Sequence, residues 1–144
     1  MKIDDLLEEW SNDSVIDKTE LGDEALRTIS LHAKWIKLYF SEKAAFLKLR
    51  SQLSELELKK YEFYTTGHTP ETKQLGWELP ARGAIIKNEV ERYMDADGEL
   101  IQKRLGLALA SEKVDYCKEI IKEINQRRWA IKNAIEWHKW TQGG

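Results

Sequence analysis

The hydrophobic and polar positions of residues 17–66 repeat with the period of an α-helix. Apolar side chains recur mostly three, four or seven residues apart, which is typical of a helix with one buried stripe. The run ends at Gly67, and the spacing predicts a helix of about 50 residues, which is too long for a small domain to cover. Either it bends back as a hairpin near Ser41 or Ser51–Ser54, or other subunits cover it. The apolar positions are Leu21, Ala25, Ile29, Ile36, Phe40, Ala44, Leu47, Leu53 and Leu56.

Asp17 and Glu20 resemble a capping box at the start of this helix. The Gly- and Pro-rich stretch 68–82 predicts a loop without regular structure. Three further helices are predicted, at residues 3–10, 83–94 and 98–140, and the Asp95–Gly98 turn offers two aspartates that could cap the last of them.

The last helix carries an approximate heptad seam that is interrupted at Arg127 and Arg128. So apolar a helix in a small chain needs a partner surface, and we expect the long helix to supply part of it and other copies of the chain the rest. An ordinary intramolecular hairpin is the alternative. The residues predicted to mediate oligomerisation are Ile120, Ile121, Ile124, Trp129, Ile131 and Ile135, and Trp137 and Trp140 strengthen this interpretation because large aromatic side chains anchor interfaces.

Composition agrees with an all-α fold of one domain or two small ones. The chain has 144 residues, of which 33% are charged and only two are proline, which suits long solvated helices better than sheets. The longest run without strongly polar residues, Leu105–Ala110, is far too short to span a membrane. Cys117 is the single cysteine, so we expect no disulfide, a reducing cytoplasm and a packing role for this thiol.

Charge is distributed unevenly along the chain. Residues 1–26 hold nine acidic side chains against two lysines, whereas residues 27–60 hold eight basic side chains against three glutamates. A block of one sign matters more than the total of −2, because surface potential is local.

Sequence patterns of common catalytic and metal sites are missing. The three histidines have no partner at ligand spacing, and the Asp95–Gly98 turn lacks the acids that a calcium loop needs around its glycine. The chain also has neither a phosphate-binding glycine loop nor a nucleophile elbow. We therefore predict no metal, no cofactor and no enzymatic activity.

Single-stranded nucleic acid is bound by cations that replace counterions and by flat side chains on which bases stack. Lys59, Lys60, Tyr61 and Tyr64 offer both within two helical turns, and Lys48 lies eleven residues before Lys59, on nearly the same side of a helix. We predict that these five residues bind DNA. The alternative is that the aromatic rings pack in the core and the lysines only solvate the end of the helix.

The chain also resembles the UvsY family, the recombination mediator proteins of T-even-like bacteriophages. Matching segments include Ile16-Asp17 and Glu24-Ala25, then Lys34-Trp35, the Leu58–Gly67 stretch, and Arg127 followed by Trp129–Lys132. The middle of the chain, residues 68–109, matches poorly. The family's basic pair for DNA falls on Leu58–Lys60, where its Lys-x-basic spacing has become Lys59-Lys60, so Lys60 is the favoured contact.

The resemblance implies a ring-shaped homo-oligomer of about six or seven subunits that binds single-stranded DNA without catalysing a reaction. It further implies loading of a RecA-like recombinase onto DNA coated by the phage single-strand-binding protein, in the cytoplasm of the infected bacterium. On this basis residues 1–80 form the DNA-binding region and residues 81–144 the oligomerisation region. The main alternative is a self-assembling helical scaffold that does not bind DNA. A small factor that reads duplex DNA is disfavoured, because no helix-turn-helix can be placed.

Overall fold

The computed structural model describes residues 1–143 and contains only helices, turns and irregular segments among them, which confirms the predicted all-α class. Gly144, the last residue of the predicted region 81–144, lies outside the described part. None of the helices in residues 1–143 combines the length and the apolar character needed to cross a membrane. The helices are α1 (Ile3–Asp13), α2 (Leu21–Thr66), α3 (Pro70–Gln74), α4 (Val90–Asp95) and α5 (Gly98–Thr141).

Helix α2 is continuous over 46 residues, so the chain does not form a hairpin at Ser41 or Ser51–Ser54. Its start differs from the predicted one. The carboxylate of Asp17 accepts hydrogen bonds from the backbone N–H of Thr19 at 2.9 Å and from its hydroxyl at 2.6 Å. Asp17 therefore stabilises a turn that precedes the helix rather than capping it, and α2 begins four residues later than the pattern suggests.

The segment between the two long helices is more structured than predicted in one place and less in another. Residues 68–82 contain the short helix α3, which starts with a capping box between Thr69 and Thr72. The helix predicted at 83–94 is shorter in the structure, where it is α4 and begins only at Val90. It does not include Ile85, because the backbone N–H of Ile85 donates to the carbonyl of Tyr64 at 2.7 Å. That bond holds the chain against the end of α2 and removes Ile85 from any helical ladder.

The described residues form two compact units, residues 1–45 with 110–143, and Phe46–Leu109. In the first unit, α1 packs on α2 and α5, and burial raises the pKa of the Cys117 thiol to about 11. The core of this unit contains Leu6, Leu31, Trp35, Cys117, Ile120 and Ile124. The core of the second unit contains Leu53, Phe63, Tyr64, Trp77, Ile85, Val90, Met94 and Leu100.

A buried guanidinium joins the elements of the first unit. Arg127 of α5 donates to the Thr28 hydroxyl at 3.2 Å and to the Ser14 carbonyl at 3.1 Å, and it pairs with the carboxylate of Glu24. Arg27 also donates to Glu24, at 3.1 Å. Arg127 thus ties α5 to the first turns of α2 and to the connection between α1 and α2.

Candidate nucleic-acid interface

The five side chains predicted to bind DNA separate into an exposed and a buried group. Lys48 is exposed, the Lys59 side chain is 57% exposed and Tyr61 is 36% exposed. Lys60 and Tyr64, in contrast, are only 4% and 8% exposed. The last turns of α2 therefore present part of the predicted set to solvent and place the rest in the core of the second unit.

Lys60 is held by groups inside this unit. Its ammonium lies 3.0 Å from the Asp97 carboxylate and 3.7 Å from that of Glu99. It also lies 3.9 Å from the centroid of the Trp77 ring, a favourable cation–π geometry. The indole N–H of Trp77 donates to Glu99 at 2.8 Å. The structure therefore places Lys60, the predicted favoured phosphate contact, in a buried ion pair where its side chain is only 5% exposed.

Tyr64 has a similar structural role. Its hydroxyl donates to the Asp97 carboxylate at 2.7 Å, and because the residue is only 8% exposed, little of its ring can be reached by a base. Burial and the neighbouring Asp97 raise the pKa of the Tyr64 hydroxyl well above its usual value. The second oxygen of Asp97 accepts the backbone N–H of Leu100 at 3.0 Å, as expected for the residue that caps the start of α5.

Burial disfavours the charged form of Asp97, but hydrogen bonds from Tyr64, the Leu100 amide and Lys60 outweigh it and lower the pKa of the carboxyl. The hydrogen bond from Arg27 and the charges of Arg27 and Arg127 likewise hold the pKa of Glu24 below its usual value.

These lowered pKa values predict that the protein loses stability in acid. Asp97 and Glu24 bind protons more readily when unfolded, so their contribution is complete above the unfolded pKa values of 3.8 and 4.5 and is lost as pH falls through the lower folded values. The contribution of these two carboxyl groups to the free energy of unfolding in urea should be constant above about pH 5 and decline below it. Asp97→Asn and Glu24→Gln should each make the decline shallower, and an unchanged pH profile in both variants would contradict this assignment.

The exposed cations lie along one side of the end of α2. Successive helical residues are turned by about 100°, so Lys48 and Lys59, eleven apart, lie within about 20° of each other. Lys59 has only a loose ion pair with Glu71, at 3.8 Å between two exposed side chains, and such pairs contribute little. Tyr61, two residues beyond Lys59, lies on the other side of the helix, where it shares a face with Arg50.

The residues predicted to mediate oligomerisation also separate by burial. Ile120, Ile124 and Ile131 are buried within the first unit, and Ile121 and Ile135 are partly buried. Packing inside the chain therefore already uses most of the heptad seam, as the alternative of an intramolecular hairpin anticipated. Trp129, in contrast, is 61% exposed, and Trp137 and Trp140 are exposed as well.

Sequence reasoning missed an exposed apolar row on the first half of α2. Leu26, Ile29, Phe40 and Leu47 are exposed in the single chain, and three of them belong to the stripe that the spacing predicts to be covered either by a bend of the helix or by other subunits. The side of α2 that packs in the first unit instead carries Thr28, Leu31 and Trp35. Two apolar rows are present in the sequence, and periodicity does not tell which one the chain covers.

Comparison with known proteins gives consistent matches over nearly the whole chain. The protein family described as "Recombination, repair and ssDNA binding protein UvsY" matches residues 9–144. The "Recombination protein uvsY" of Enterobacteria phage T4 is 25% identical over 144 residues, which cover 99% of each chain.

Solved structures agree with this match. One crystal structure of the bacteriophage T4 recombination mediator protein UvsY superposes with a TM-score of 0.81 at 26% identity, covering 99% of both chains. A second crystal form gives a TM-score of 0.79 at 25% identity, covering 95% of this chain and 98% of the other.

Proposed function

The chain belongs to the family of UvsY recombination, repair and single-stranded-DNA-binding proteins, and on this premise we propose that it is a phage recombination mediator. It acts by binding: it holds single-stranded DNA and promotes loading of a RecA-like recombinase onto DNA coated by the phage single-strand-binding protein. It does so as a ring-shaped homo-oligomer of about six or seven subunits, in the cytoplasm of the infected bacterium. The single observation that carries the proposal is the family match over residues 9–144. Lys48 and Lys59, exposed on a side of α2 that also carries Glu55 and Glu62, are the candidate phosphate contacts.

The DNA contact is made by Lys48 and Lys59, supported by Tyr61. Lys48 and Lys59 are exposed, lie on one side of α2 and have no strong ion pair in the described residues. Exposed lysines bind single-stranded DNA by replacing the counterions along its phosphates. Tyr61, on the other side of the helix, offers a stacking surface next to Arg50. Within the predicted DNA-binding region 1–80, these side chains replace the buried Lys60 and Tyr64 as contacts.

Few contacts per subunit are sufficient in a ring. When several copies engage one strand, each further contact is intramolecular and raises the overall affinity without any new interaction. The strand must then follow the ring, which loosens the single-strand-binding protein and presents DNA to the recombinase. If this protein does not speed the assembly of recombinase filaments on coated DNA, the mechanism is wrong.

The proposed DNA contact predicts how affinity responds to salt. We expect fluorescence anisotropy of a labelled single-stranded oligonucleotide to show a steep decrease in affinity with salt. Lys48→Ala/Lys59→Ala should reduce the slope of log K against log[salt] by roughly 0.7 for each lysine–phosphate pair that the substitutions remove from a bound subunit.

Lys118→Ala, which removes an exposed lysine of α5, is the matched control and should leave the slope near the wild-type value. An equal reduction in both variants would show a general effect of net charge. Absence of binding at low salt would identify the chain as a scaffold that does not bind DNA.

Self-association is proposed to involve the exposed apolar residues of both long helices. On α5, within the predicted oligomerisation region 81–144, the exposed residue involved is Trp129, and Ile135 is partly buried. On α2 the exposed residues involved are Ile29 and Phe40. Exposed apolar rows of this kind mark protein interfaces, and an equivalent row on each copy suits a closed ring.

The double variant Phe40→Ser/Trp129→Ser should therefore form smaller assemblies than the wild type. Both side chains are exposed in the single chain, so the substitutions should leave its helical content unchanged. Sedimentation velocity measures the assembly and circular dichroism checks the fold. A wild-type sedimentation coefficient in this folded variant would exclude these residues from the interface.

A further inference from the structure

A small cavity lies beside Lys59, between the last turns of α2 and the segment that contains α3. Its volume is about 130 Å³, roughly four times the ~30 Å³ that a water molecule occupies in the liquid. Phe63 and Trp77 form part of its wall, and both rings are fixed in the core of the second unit, with their centroids 5.3 Å apart. The cavity thus offers aromatic surface of a rigid shape and the capacity for one small planar group.

The rim of the cavity is polar and, on balance, acidic. Glu62 and Glu71 line it together with Lys59, so that two carboxylates face one ammonium. This balance disfavours a bare phosphate inside the cavity. A carboxylate accepts hydrogen bonds and cannot donate them, so the rim suits a neutral ligand that presents amino groups. Exocyclic amino groups of cytosine, adenine and guanine are such donors, and Glu is a known acceptor for the N4 amino group of cytosine.

The cavity also lies at the end of the helical side that carries Lys48 and Lys59. Thr66, which lines it, lies seven residues after Lys59 and therefore on nearly the same side of the helix. A strand whose phosphates contact Lys48 and Lys59 is consequently led to the opening. A base turned out from that strand meets the acidic rim and the few exposed atoms of Phe63 and Trp77, which are 2% and 9% exposed.

We propose that this cavity receives one nucleobase with an exocyclic amino group from the single strand that contacts Lys59. The inference rests on the proposed function and adds a base-binding pocket to the phosphate contacts. Glu62 and Glu71 accept hydrogen bonds from the amino group, while Phe63 and Trp77 contact the face or edge of the ring. The pocket makes affinity depend on the presence of bases and not only on the backbone.

The test compares three labelled strands of equal length: oligo-dC, oligo-dT and a strand with abasic residues throughout. Anisotropy titrations with the full chain should show that oligo-dC binds at least about fivefold more tightly than the abasic strand. Oligo-dT should bind more weakly than oligo-dC, because thymine carries a carbonyl oxygen where cytosine has its amino group.

Thr66→Phe fills the cavity from its exposed rim and should bind oligo-dC about as weakly as the wild type binds the abasic strand. Ser54→Phe places the same ring on an exposed position of α2 that does not line the cavity, and it should retain the full preference. Leu75→Trp, at another exposed position of the rim, is a second blocking variant in case Thr66→Phe disturbs the end of α2.

Equal affinity of the wild type for oligo-dC and the abasic strand would overturn the pocket while leaving the proposed DNA binding intact. A preference for bases that both blocking variants retain would overturn it as well, because stacking would then occur elsewhere. If the wild type shows no salt-dependent binding to any of the three strands, the proposed function is rejected together with the pocket.

Discussion

Replacing Lys60 by Met should destabilise the protein by about 3 kcal/mol, whereas Lys59→Met should change the free energy of unfolding by less than about 0.5 kcal/mol. The two lysines are adjacent in sequence but differ in their surroundings. Removal of the Lys60 ammonium leaves the carboxylate of Asp97 buried with only the Tyr64 hydroxyl and the Leu100 amide as partners. An uncompensated buried charge is costly, whereas an exposed lysine with one loose ion pair contributes little.

Urea unfolding of both variants measures this difference, and a double-mutant cycle assigns its cause. Asp97→Asn removes the charge that Lys60 neutralises, so Lys60→Met/Asp97→Asn should be more stable than the sum of the single effects predicts. Strict additivity would show that the two groups do not interact. The variants Lys60→Met and Lys59→Met also separate stability from DNA binding. Folded Lys60→Met should keep the wild-type slope of log K against log[salt], and Lys59→Met should lower that slope.

Arg127→Met is the second substitution with a large expected effect, a decrease in stability of about 3–5 kcal/mol. The guanidinium is buried and satisfies Glu24, Thr28 and the Ser14 carbonyl together. Its removal leaves a buried carboxylate with Arg27 as the remaining cation and unpairs a backbone carbonyl in the connection that follows α1. Arg128→Met is the matched control, because Arg128 is exposed on the neighbouring position and should cost less than about 0.5 kcal/mol.

Thermal or urea unfolding of these two variants gives the comparison directly. Arg127→Lys should recover only part of the stability, since an ammonium cannot reproduce the planar fork with which Arg127 reaches several acceptors at once. Similar stabilities for Arg127→Met and Arg128→Met would mean that this cluster does not stabilise the first unit. Smaller assemblies in Arg127→Met alone would be a secondary effect of unfolding, which circular dichroism would reveal.

The sequence alone was sufficient for the helical class, for the last long helix and for the family, whereas it left a hairpin open for the first long helix. Uninterrupted helical periodicity over residues 21–66 and 98–141 leaves few alternatives, because neither stretch contains proline and the breaks fall at Gly67 and at the Asp95–Gly98 turn. Helix starts were predicted less accurately. They depend on single hydrogen bonds such as that from Thr19 to Asp17, which periodicity does not report.

Only the tertiary structure decided which charged residues remain on the surface. Lys60 lies on the same helical side as Leu53, Leu56 and Phe63, so the period of the core already contained it, but an isolated lysine is normally exposed. Its burial is favourable only because Asp97 and Trp77, distant in sequence, supply a countercharge and an aromatic face. Periodicity is a local property of the chain, whereas the partners that permit a buried charge come from other elements, and this is why the helices could be read from the sequence but the burial of Lys60 could not.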